Sequence, residues 1–450
     1  MDIGQGITFG GGVNVTKQPA AYLMGTLASG FNEIATIIRV DSSGNFYVGG
    51  YPIAGISANY ALLAKYNSSG ILQWKKQLTG EGDYPRIYSM DIDSSGNIYI
   101  GGTYNPGGTT LGLISLINSS GAFVWSVNFQ GTASGKWTPS VAGPTGASIS
   151  SVAVSSSGVP YFTGNAGYPF IVAWPGGSST PTLLKLLYAT QGYSSSGKSI
   201  KLDSSGNIYL TGLVTISSNT QMFVAKFNSS GAVQWQKTLS SSGTDTGYGV
   251  DVDSSGNVYI TGVSDGNGND DIITAKYNSS GVIQWQKRLS SGVIDQSTGI
   301  AVDSSGNVYI TGRSNTGSTN DLIIVKYNTS GVLQWQNKIV GASGGDEGGT
   351  SITTVTNSDG TILYISGYVT GASNDMFLAK LPSDGTGLGT FTIGSVTVTY
   401  ATSTLTDVTS TLTDASSDGT VTSYTYGMDD RSGATTNATS TTSTIVTFYQ

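Results

Sequence analysis

Closely spaced carboxylates are the residues of this chain whose types and spacing could do chemistry. Residues 91–96 and 251–256 both read Asp-x-Asp-x-Ser-Gly, which resembles the opening of a calcium loop, where neighbouring oxygens surround a hard cation. The glutamate that closes such a loop is missing in both places, and the same residue types form ordinary hairpin turns. We therefore interpret both segments as turns and predict neither a metal site nor a cofactor.

The composition excludes several other kinds of chemistry. The 450 residues include no His and no Cys, so a His-based triad, a thiolate nucleophile and a disulfide are all absent. Two loop carboxylates could still act as a glycosidase pair, but we find no acid pair that interrupts the repeated sequence described below. We predict that the chain is not an enzyme.

The charge and the hydropathy of the chain argue against two classes of partner, nucleic acids and membranes. The formal net charge is −7 and the Lys and Arg residues form no cluster, which argues against a nucleic-acid partner. No apolar run approaches the roughly 18 residues that span a bilayer, so we expect no membrane insertion. The N-terminus lacks the basic flank and apolar region of a Sec signal peptide, and we expect an unconventional route out of the cell, such as release inside a virus particle.

A ten-residue string, repeated along the chain, organises the sequence. Residues 253–262 read DSSGNVYITG, and close copies stand at 41–50, 93–102, 203–212 and 303–312. Divergent copies at 155–164 and 357–367 bring the number to seven. The turn glycines recur about every 50 residues, a period that indicates a repeat architecture, and they are Gly44, Gly96, Gly158, Gly206, Gly256, Gly306 and Gly360.

Each unit reads as four antiparallel strands, which we name A to D. In the fifth unit they cover residues 249–253, 258–261, 272–277 and 282–287, and apolar and polar residues alternate within them. Asp-Ser-Ser-Gly-Asn joins A to B and Asn-Ser-Ser-Gly joins C to D, as tight hairpins require. Seven such units predict an all-β chain that forms a seven-bladed β-propeller of four-stranded blades.

The chain divides into three regions. Residues 1–19 form a Gly-rich N-terminal arm, residues 20–385 the propeller, and residues 386–450 a small Thr/Ser-rich C-terminal β domain. The seventh unit has no D strand of its own. Residues 22–27 align with the strand just before the fifth unit, which is the D strand of the fourth unit, so this N-terminal strand is predicted to close the ring. The C-terminal β segment, which repeats itself at 403–407 and 410–414, packs on the propeller or pairs with another copy as a homo-oligomer.

The aromatic residues of the repeat are predicted to be structural. One tryptophan recurs in strand D and one tyrosine in strand B, and equivalent positions in successive blades usually fill the contact between blades. The strand D tryptophans are Trp74, Trp125, Trp235, Trp285 and Trp335.

The loops that differ between units are the candidate binding surface. In a four-stranded blade the B–C and D–A connections share one face of the ring, and variable loops on a rigid scaffold usually carry binding. Aromatic rings beside acids favour a carbohydrate ligand, through stacking and hydrogen bonds to hydroxyl groups. The candidate ligand-binding residues are Tyr51, Tyr60, Tyr84, Tyr104, Trp137, Tyr168, Tyr193, Asp265 and Asp270, with Glu81 and Asp83 nearby and Trp137 the strongest.

Two resemblances extend this interpretation. The strings DSSGNVYITG and KYNSSGVIQW, at 253–262 and 276–285, resemble the bacterial β-propeller repeats of the SBBP type, a resemblance that covers roughly residues 30–385. It implies a seven-bladed propeller with a binding or scaffolding role at a bacterial surface. The opening IGQGITFGGGV, at 3–13, resembles structural proteins of marine bacteriophages, especially cyanophages.

Together these features predict a bacteriophage virion structural protein. It would be a capsid decoration or a tail or fibre component, bound to other capsid or tail proteins, with the propeller presented to a host cell-surface glycan. The alternative is a secreted or surface adhesin of a bacterium, located outside the cell, and a third hypothesis is a propeller glycosidase or lyase.

Overall fold

The computed structural model describes most of the chain, from the seven blades to several strands of the C-terminal segment. The described residues are 7–9, 13–15, 23–27, 32–52, 60–79, 85–105, 108, 110–129, 146–166, 168–175, 181–188, 195–216, 218–266, 268–315, 319–341, 344–358, 360–370, 374–393, 396–410, 413–416, 420–423 and 447–449. They are almost entirely strands and turns, and no helix in these ranges is long and apolar enough to cross a membrane.

Three short strands precede the first blade and four-stranded antiparallel blades follow. The early strands are β1 (Ile7–Phe9), β2 (Val13–Val15) and β3 (Leu23–Leu27). Blades 1 and 2 contain β4 (Glu33–Val40), β5 (Phe46–Pro52), β6 (Tyr60–Tyr66), β7 (Leu72–Thr79), β8 (Arg86–Ile92), β9 (Ile98–Tyr104), β10 (Leu111–Ile117) and β11 (Phe123–Phe129). Blades 3 and 4 contain β12 (Ser148–Val154), β13 (Pro160–Asn165), β14 (Pro169–Ala173), β15 (Leu183–Tyr188), β16 (Ser195–Leu202), β17 (Ile208–Ile216), β18 (Asn219–Phe227) and β19 (Val233–Ser240).

The second half of the ring repeats the arrangement. Blades 5 and 6 contain β20 (Asp245–Val252), β21 (Val258–Ser264), β22 (Asp271–Tyr277), β23 (Ile283–Ser290), β24 (Asp295–Val302), β25 (Val308–Asn315), β26 (Asn320–Tyr327) and β27 (Leu333–Gly341). Blade 7 contains β28 (Gly348–Asn357), β29 (Gly360–Thr370) and β30 (Asn374–Pro382). The A strand of each blade contacts the A strand of the next, so these strands surround the centre of a seven-bladed propeller.

The N-terminal strand closes the ring. Strand β3 pairs antiparallel with β30 and supplies the fourth strand of blade 7, with Leu23 opposite Lys380 and Leu27 opposite Met376. The predicted closure by residues 22–27 is therefore confirmed. Blade 7 is built from both ends of the propeller sequence, which ties the ring shut by main-chain hydrogen bonds.

The C-terminal segment adds strands to the outer edges of the blades. Its strands are β31 (Gly389–Ile393), β32 (Val396–Thr402), β33 (Thr406–Thr409), β34 (Thr413–Ser416), β35 (Thr420–Ser423) and β36 (Thr447–Tyr449). Strands β32 to β35 pair with the D strands of blades 6, 5, 4 and 3 in turn, and β36 pairs with blade 1. Of the two alternatives that the sequence leaves open for this segment, the single chain shows packing on the propeller.

The repeat of seven residues in this segment matches the repeat of the blades. Asp407 lies opposite Leu289, and Asp414, seven residues later, lies opposite Leu239, the equivalent residue of the preceding blade. The amide of Ser403 donates to the carbonyl of Gln336 (3.0 Å), and the amide of Ser410 donates to that of Gln286 (3.2 Å). One heptad of the segment therefore advances the chain by one blade.

Side chains of the segment reach into the boundary between blades 5 and 6. Leu405 is buried among core residues of both blades. The hydroxyl of Tyr327, in blade 6, donates to Asp407 Oδ1 (2.9 Å), and Lys287 of blade 5 lies 3.6 Å from Asp407 Oδ2. Strand β33 therefore joins two blades through side chains as well as through its backbone.

The boundary between consecutive blades is also locked at the C–D turn. The indole of Trp285 and the ammonium of Lys276, both in blade 5, donate to the carbonyl of Thr329 in blade 6, each at 3.1 Å. The Lys276 ammonium also lies 5.1 Å from the centre of the Tyr259 ring, a cation–π contact. Gly331 of the same turn has a φ of +76°, and a Cβ there would lie 2.7 Å from the indole of Trp285.

The same lock recurs at two other blade boundaries, and its lysine bond recurs at a third. Trp235 and Lys226 donate to the carbonyl of Ser279, Trp335 and Lys326 donate to that of Ser383 (3.1 and 3.0 Å), and Lys380 of blade 7 donates to Ser68 of blade 1. Trp74 and Trp125 pack instead against core residues of the next blade, so the strand D tryptophans lie between blades as predicted.

The aspartate that begins the A–B turn accepts hydrogen bonds from residues of the same hairpin. Asp253 Oδ1 accepts the amides of Ser255 and Asn257 (both 2.9 Å), and Oδ2 accepts the Asn257 side chain (2.7 Å) and the Tyr259 hydroxyl (2.9 Å). Four donors on one carboxylate fix the hairpin and leave it little capacity for a cation. Asp41, Asp203 and Asp303 accept the same four bonds.

We predict that Gly331→Ala is more destabilising than its backbone angle alone explains. A left-handed alanine costs about 1–2 kcal/mol, and displacing Trp285 adds about 1–3 kcal/mol. Gly292→Ala is the matched control, because Gly292 has a φ of +87° and no atom within 4 Å of its Cβ position. Urea unfolding of both variants measures the difference, and equal losses would contradict the packing role of this glycine.

We predict that Leu405→Ala loosens the outer strand. Removing a buried leucine costs about 2–4 kcal/mol, so amide exchange in β33 should become at least about tenfold faster while the blade cores stay protected. Thr404→Ala, at an exposed neighbouring position, is the control. Unchanged exchange in β33 would show that Leu405 does not hold the strand on blades 5 and 6.

Candidate functional site

The connection face, formed by the B–C and D–A connections, is the surface on which the sequence places the candidate binding residues. Of the candidate residues from the sequence, Tyr84, Trp137 and Tyr193 lie outside the described residues, as do Glu81 and Asp83. The structure places the other six, namely Tyr51, Tyr60, Tyr104, Tyr168, Asp265 and Asp270.

Three of the six placed candidates are buried or tied to the structure by hydrogen bonds. Tyr60 is buried, and its hydroxyl donates to Glu33 Oε1 at 2.8 Å. Tyr104 is also buried. Asp265 Oδ1 accepts the amide of Thr244, while its own amide donates to the Thr244 carbonyl (3.2 Å), so this carboxylate joins the B–C and D–A connections of blade 5.

Tyr51 and Tyr168 keep part of their surface exposed. The Tyr51 ring meets Tyr88 edge-on at 5.7 Å between centres, and the Arg86 guanidinium lies 5.1 Å from the Tyr51 centre. The pKa of Tyr51 is raised to about 12, chiefly by burial and also by Tyr88, while Arg86 lowers it. The backbone of Tyr168 closes a short turn, in which its carbonyl accepts the amide of Ala166 (3.3 Å). These residues lie on different blades from Asp270 and do not form one patch with it.

Buried carboxylates hold the D–A connections in place. Glu33, Asp245, Asp295 and Glu347 occupy equivalent positions at or just before the A strands of blades 1, 5, 6 and 7, and all four are buried. Asp245 accepts the amide and hydroxyl of Ser241, and Asp295 accepts those of Ser291. Glu347 accepts the amides of Gly341 (2.9 Å) and Thr370 (3.4 Å). Burial raises the pKa of Asp245, of Asp295 and, to about 7, of Glu347.

Every A strand bulges at the same point. One residue of each A strand has no partner in the adjacent B strand, and these seven residues are Thr36, Tyr88, Ser150, Lys198, Tyr248, Thr298 and Thr350. Thr36 and Thr298 donate to main-chain carbonyls of the next blade, Ile87 (2.6 Å) and Gly349 (2.7 Å). A bulge can turn its side chain in a new direction, and at Tyr248 that side chain is exposed.

Tyr248 is the most exposed aromatic side chain of the described part of the connection face, at 38%. Burial of its hydroxyl raises its pKa, Asp270 raises it further and Arg313 lowers it, so both charges act on this tyrosine. Gln296 Nε2 donates to Asp270 Oδ2 (2.5 Å), and Gln296 Oε1 accepts Arg313 Nε (3.0 Å) and Nη2 (2.5 Å). We name Tyr248, Asp270, Gln296 and Arg313 the channel-mouth cluster.

The sequence identified only Asp270 among these four. The bulge position of strand A changes between Thr, Tyr, Ser and Lys from blade to blade. That variation within a regular strand was the available signal for Tyr248. Gln296 and Arg313 belong to blade 6, and only the packing of the ring brings them beside blade 5. Among the described residues, no three acidic side chains come together as metal ligands.

We predict that Glu347 makes the protein less stable as the pH rises. The folded state raises the pKa of this carboxyl from 4.5 to about 7, so it binds the proton more tightly than the unfolded chain does. Stability contributed by the protonated form is therefore lost as pH rises from about 4.5 to about 7, by at most about 1.4 kcal/mol per pH unit.

Urea unfolding at pH 5 and pH 8 tests this. Glu347→Gln should lose less stability than the unmodified protein between these values, because its amide has no proton to release. Asp384→Asn changes an exposed carboxylate on the opposite face and serves as the control. Parallel losses in all three proteins would contradict the role of Glu347.

One protein-family model matches parts of this chain. A family model described as a β-propeller repeat of the SBBP type matches residues 73–103, 234–269 and 284–321. No curated protein matches the chain.

Solved structures resemble the fold at low sequence identity. A virginiamycin B lyase from Staphylococcus aureus is 12% identical with a TM-score of 0.51, over 80% of this chain and 99% of the lyase. An ulvan lyase from a new family of polysaccharide lyases is 11% identical with a TM-score of 0.50, over 80% of this chain and 96% of the lyase. The propeller of Dos1 is 10% identical with a TM-score of 0.45, over 84% of this chain and 95% of that one. At these identities the two lyases show the fold alone. The family model matches three segments of the repeat.

Proposed function

We propose that this chain is a structural display protein of a bacteriophage particle and that it presents its connection face to a host cell-surface glycan. The observation that carries the binding role is the division of the ring into two unlike faces. The turn face, formed by the A–B and C–D turns, repeats one set of contacts in most blades. The connection face carries side chains that differ from blade to blade. A rigid frame that holds variable side chains suits recognition.

The contacts between blades support a role in display. Each lock at a C–D turn ties a tryptophan and a lysine to the next blade, and the C-terminal strands add further pairing along the outer edges. A ring held in this way keeps its loops in fixed positions, so a ligand meets a pre-organised surface. Other capsid or tail proteins are the proposed anchoring partners, and the virion is the proposed location.

The buried acids support a role without catalysis. Asp245, Asp295 and Glu347 accept hydrogen bonds from the chain's own amides, which is the work of a structural clamp. General acid–base chemistry needs a carboxyl group that reaches the substrate. A lyase is the second candidate function, because two lyases share this fold, but at 12% and 11% identity they support the architecture only. The bacterial adhesin shares the proposed binding face and differs in location.

We predict that mass spectrometry finds this chain in purified phage particles from the source sample. A fixed ratio to the major capsid protein is expected because a structural component is built into each particle, and the ratio separates a capsid decoration from a tail part. A non-structural phage enzyme is the control and should be depleted by purification. Absence from particles, with the chain in the host envelope or medium, would replace the virion with the adhesin, and release of fragments from a host polysaccharide would favour the lyase.

A further inference from the structure

The geometry assigns a sugar-binding subsite to the channel-mouth cluster, where Tyr248 stacks on one ring of a neutral polysaccharide while Asp270, Gln296 and Arg313 bind its hydroxyl groups. This inference rests on the proposed glycan binding and adds the position and the chemical class of the ligand. The subsite lies on the boundary between blades 5 and 6.

Tyr248 supplies the stacking surface. It is the bulge residue of β20, and its side chain is 38% exposed although both neighbours, Gly247 and Gly249, are buried. Neighbouring glycines leave the ring faces clear of side chains from the same strand. Within the described residues the Tyr248 hydroxyl has no hydrogen-bond partner. An exposed aromatic ring held on a strand binds the apolar face of a sugar at low entropic cost.

Asp270, Gln296 and Arg313 form a fixed row of planar groups. Gln296 is the centre of the row, because its amide nitrogen donates to Asp270 and its amide oxygen accepts two bonds from Arg313. The main chain holds the first two residues together as well, since the amide of Asp295 donates to the carbonyl of Asp270 at 2.8 Å.

This row leaves an acceptor and a donor for a ligand. Gln296 contacts only Oδ2 of Asp270 and only Nε and Nη2 of Arg313. The second carboxylate oxygen and the remaining guanidinium hydrogens have no partner among the described residues. Neighbouring hydroxyl groups on a sugar both donate and accept, so they match a carboxylate and a guanidinium side by side.

Charge favours a neutral sugar over an acidic one. One carboxylate and one guanidinium, joined through Gln296, balance each other in the row. A sugar carboxylate would need a guanidinium free of competing acids, and Asp270 repels it. The row therefore matches hydroxyl groups better than a second carboxylate.

An exposed apolar pair borders the subsite. Val293 and Ile294, just before β24, are 44% and 46% exposed. Their backbone is fixed, because Asn269 Nδ2 donates to the Val293 carbonyl (2.6 Å) and the amide of Asn315 donates to the Ile294 carbonyl (2.9 Å). Exposed aliphatic groups held rigid beside an aromatic ring extend the surface for the C–H faces of a polysaccharide.

The other bulge positions do not offer the same surface. Five of them are Thr, Ser or Lys, and the remaining aromatic residue, Tyr88, packs edge-on against Tyr51 and accepts a bond from the Thr103 hydroxyl (3.3 Å). The stacking role therefore belongs to blade 5.

Titration calorimetry of the full chain tests the subsite. The probes are hexasaccharides of a neutral glucan, a mannan and a galactan, with a galacturonan hexasaccharide as the acidic counterpart. We expect binding of at least one neutral probe, at least about tenfold weaker binding by Tyr248→Ala, and binding by Tyr248→Phe within about threefold of the unmodified protein, because stacking needs the ring and not the hydroxyl. Gln296→Ala should weaken the same probe.

The outcomes separate this inference from the proposed function. If a neutral probe binds the unmodified protein and Tyr248→Ala equally well, glycan binding stands and the subsite is wrong. If only the galacturonan binds, the neutral class is wrong. If none of the four probes binds, neutral-glycan recognition at this subsite is overturned, while the virion assignment is decided by the particle analysis. Circular dichroism of each variant confirms that a loss of binding is not a loss of fold.

Discussion

The main-chain carbonyl of the C–D turn is the point on which the ring depends. At Thr329 it accepts both the indole of Trp285 and the ammonium of Lys276, so one oxygen receives a neutral and a charged donor from the preceding blade. The two donors approach only because Gly331 lets the turn lie against the indole. The same pair of donors also joins blade 4 to blade 5 and blade 6 to blade 7, so the contact holds consecutive blades against each other at three boundaries.

The C-terminal strands can pair with the blade edges because the blades repeat regularly around the ring. Blade edges that repeat every 50 residues present the same hydrogen-bonding groups and the same boundary at equal intervals around the rim. A segment with a repeat of seven residues can therefore pair with one blade, cross the boundary and pair with the next in the same register. Leu405 and Asp407 show how side chains secure each step, one by burial between blades and one by binding Tyr327 and Lys287. Pairing of these edges also removes unpaired strands that would otherwise invite aggregation.

The seven blades share one backbone arrangement, so the residue at an equivalent position can differ from blade to blade. The A-strand bulge places one side chain per blade near the centre, and in blades 1, 6 and 7 a threonine uses it to bind the next blade. In blade 5 the bulge residue is Tyr248, whose side chain is 38% exposed and whose pKa is raised by Asp270 and lowered by Arg313. The candidate subsite therefore arises where one blade departs from the structural use of the bulge, while the neighbouring blades hold it in position.

The sequence by itself determined the propeller, its seven four-stranded blades, the closing strand at residues 22–27 and the turn-forming role of the aspartate in five of the A–B turns. These features depend on hydrogen bonds within hairpins and on a period that repeats, so residues close in sequence carry them. Only the tertiary structure decided that Tyr60 and Tyr104 are buried, that the C-terminal strands lie along the blade edges, and that Gln296 joins Asp270 to Arg313. Those contacts join residues from different blades, and their partners are set by how the blades pack around the ring.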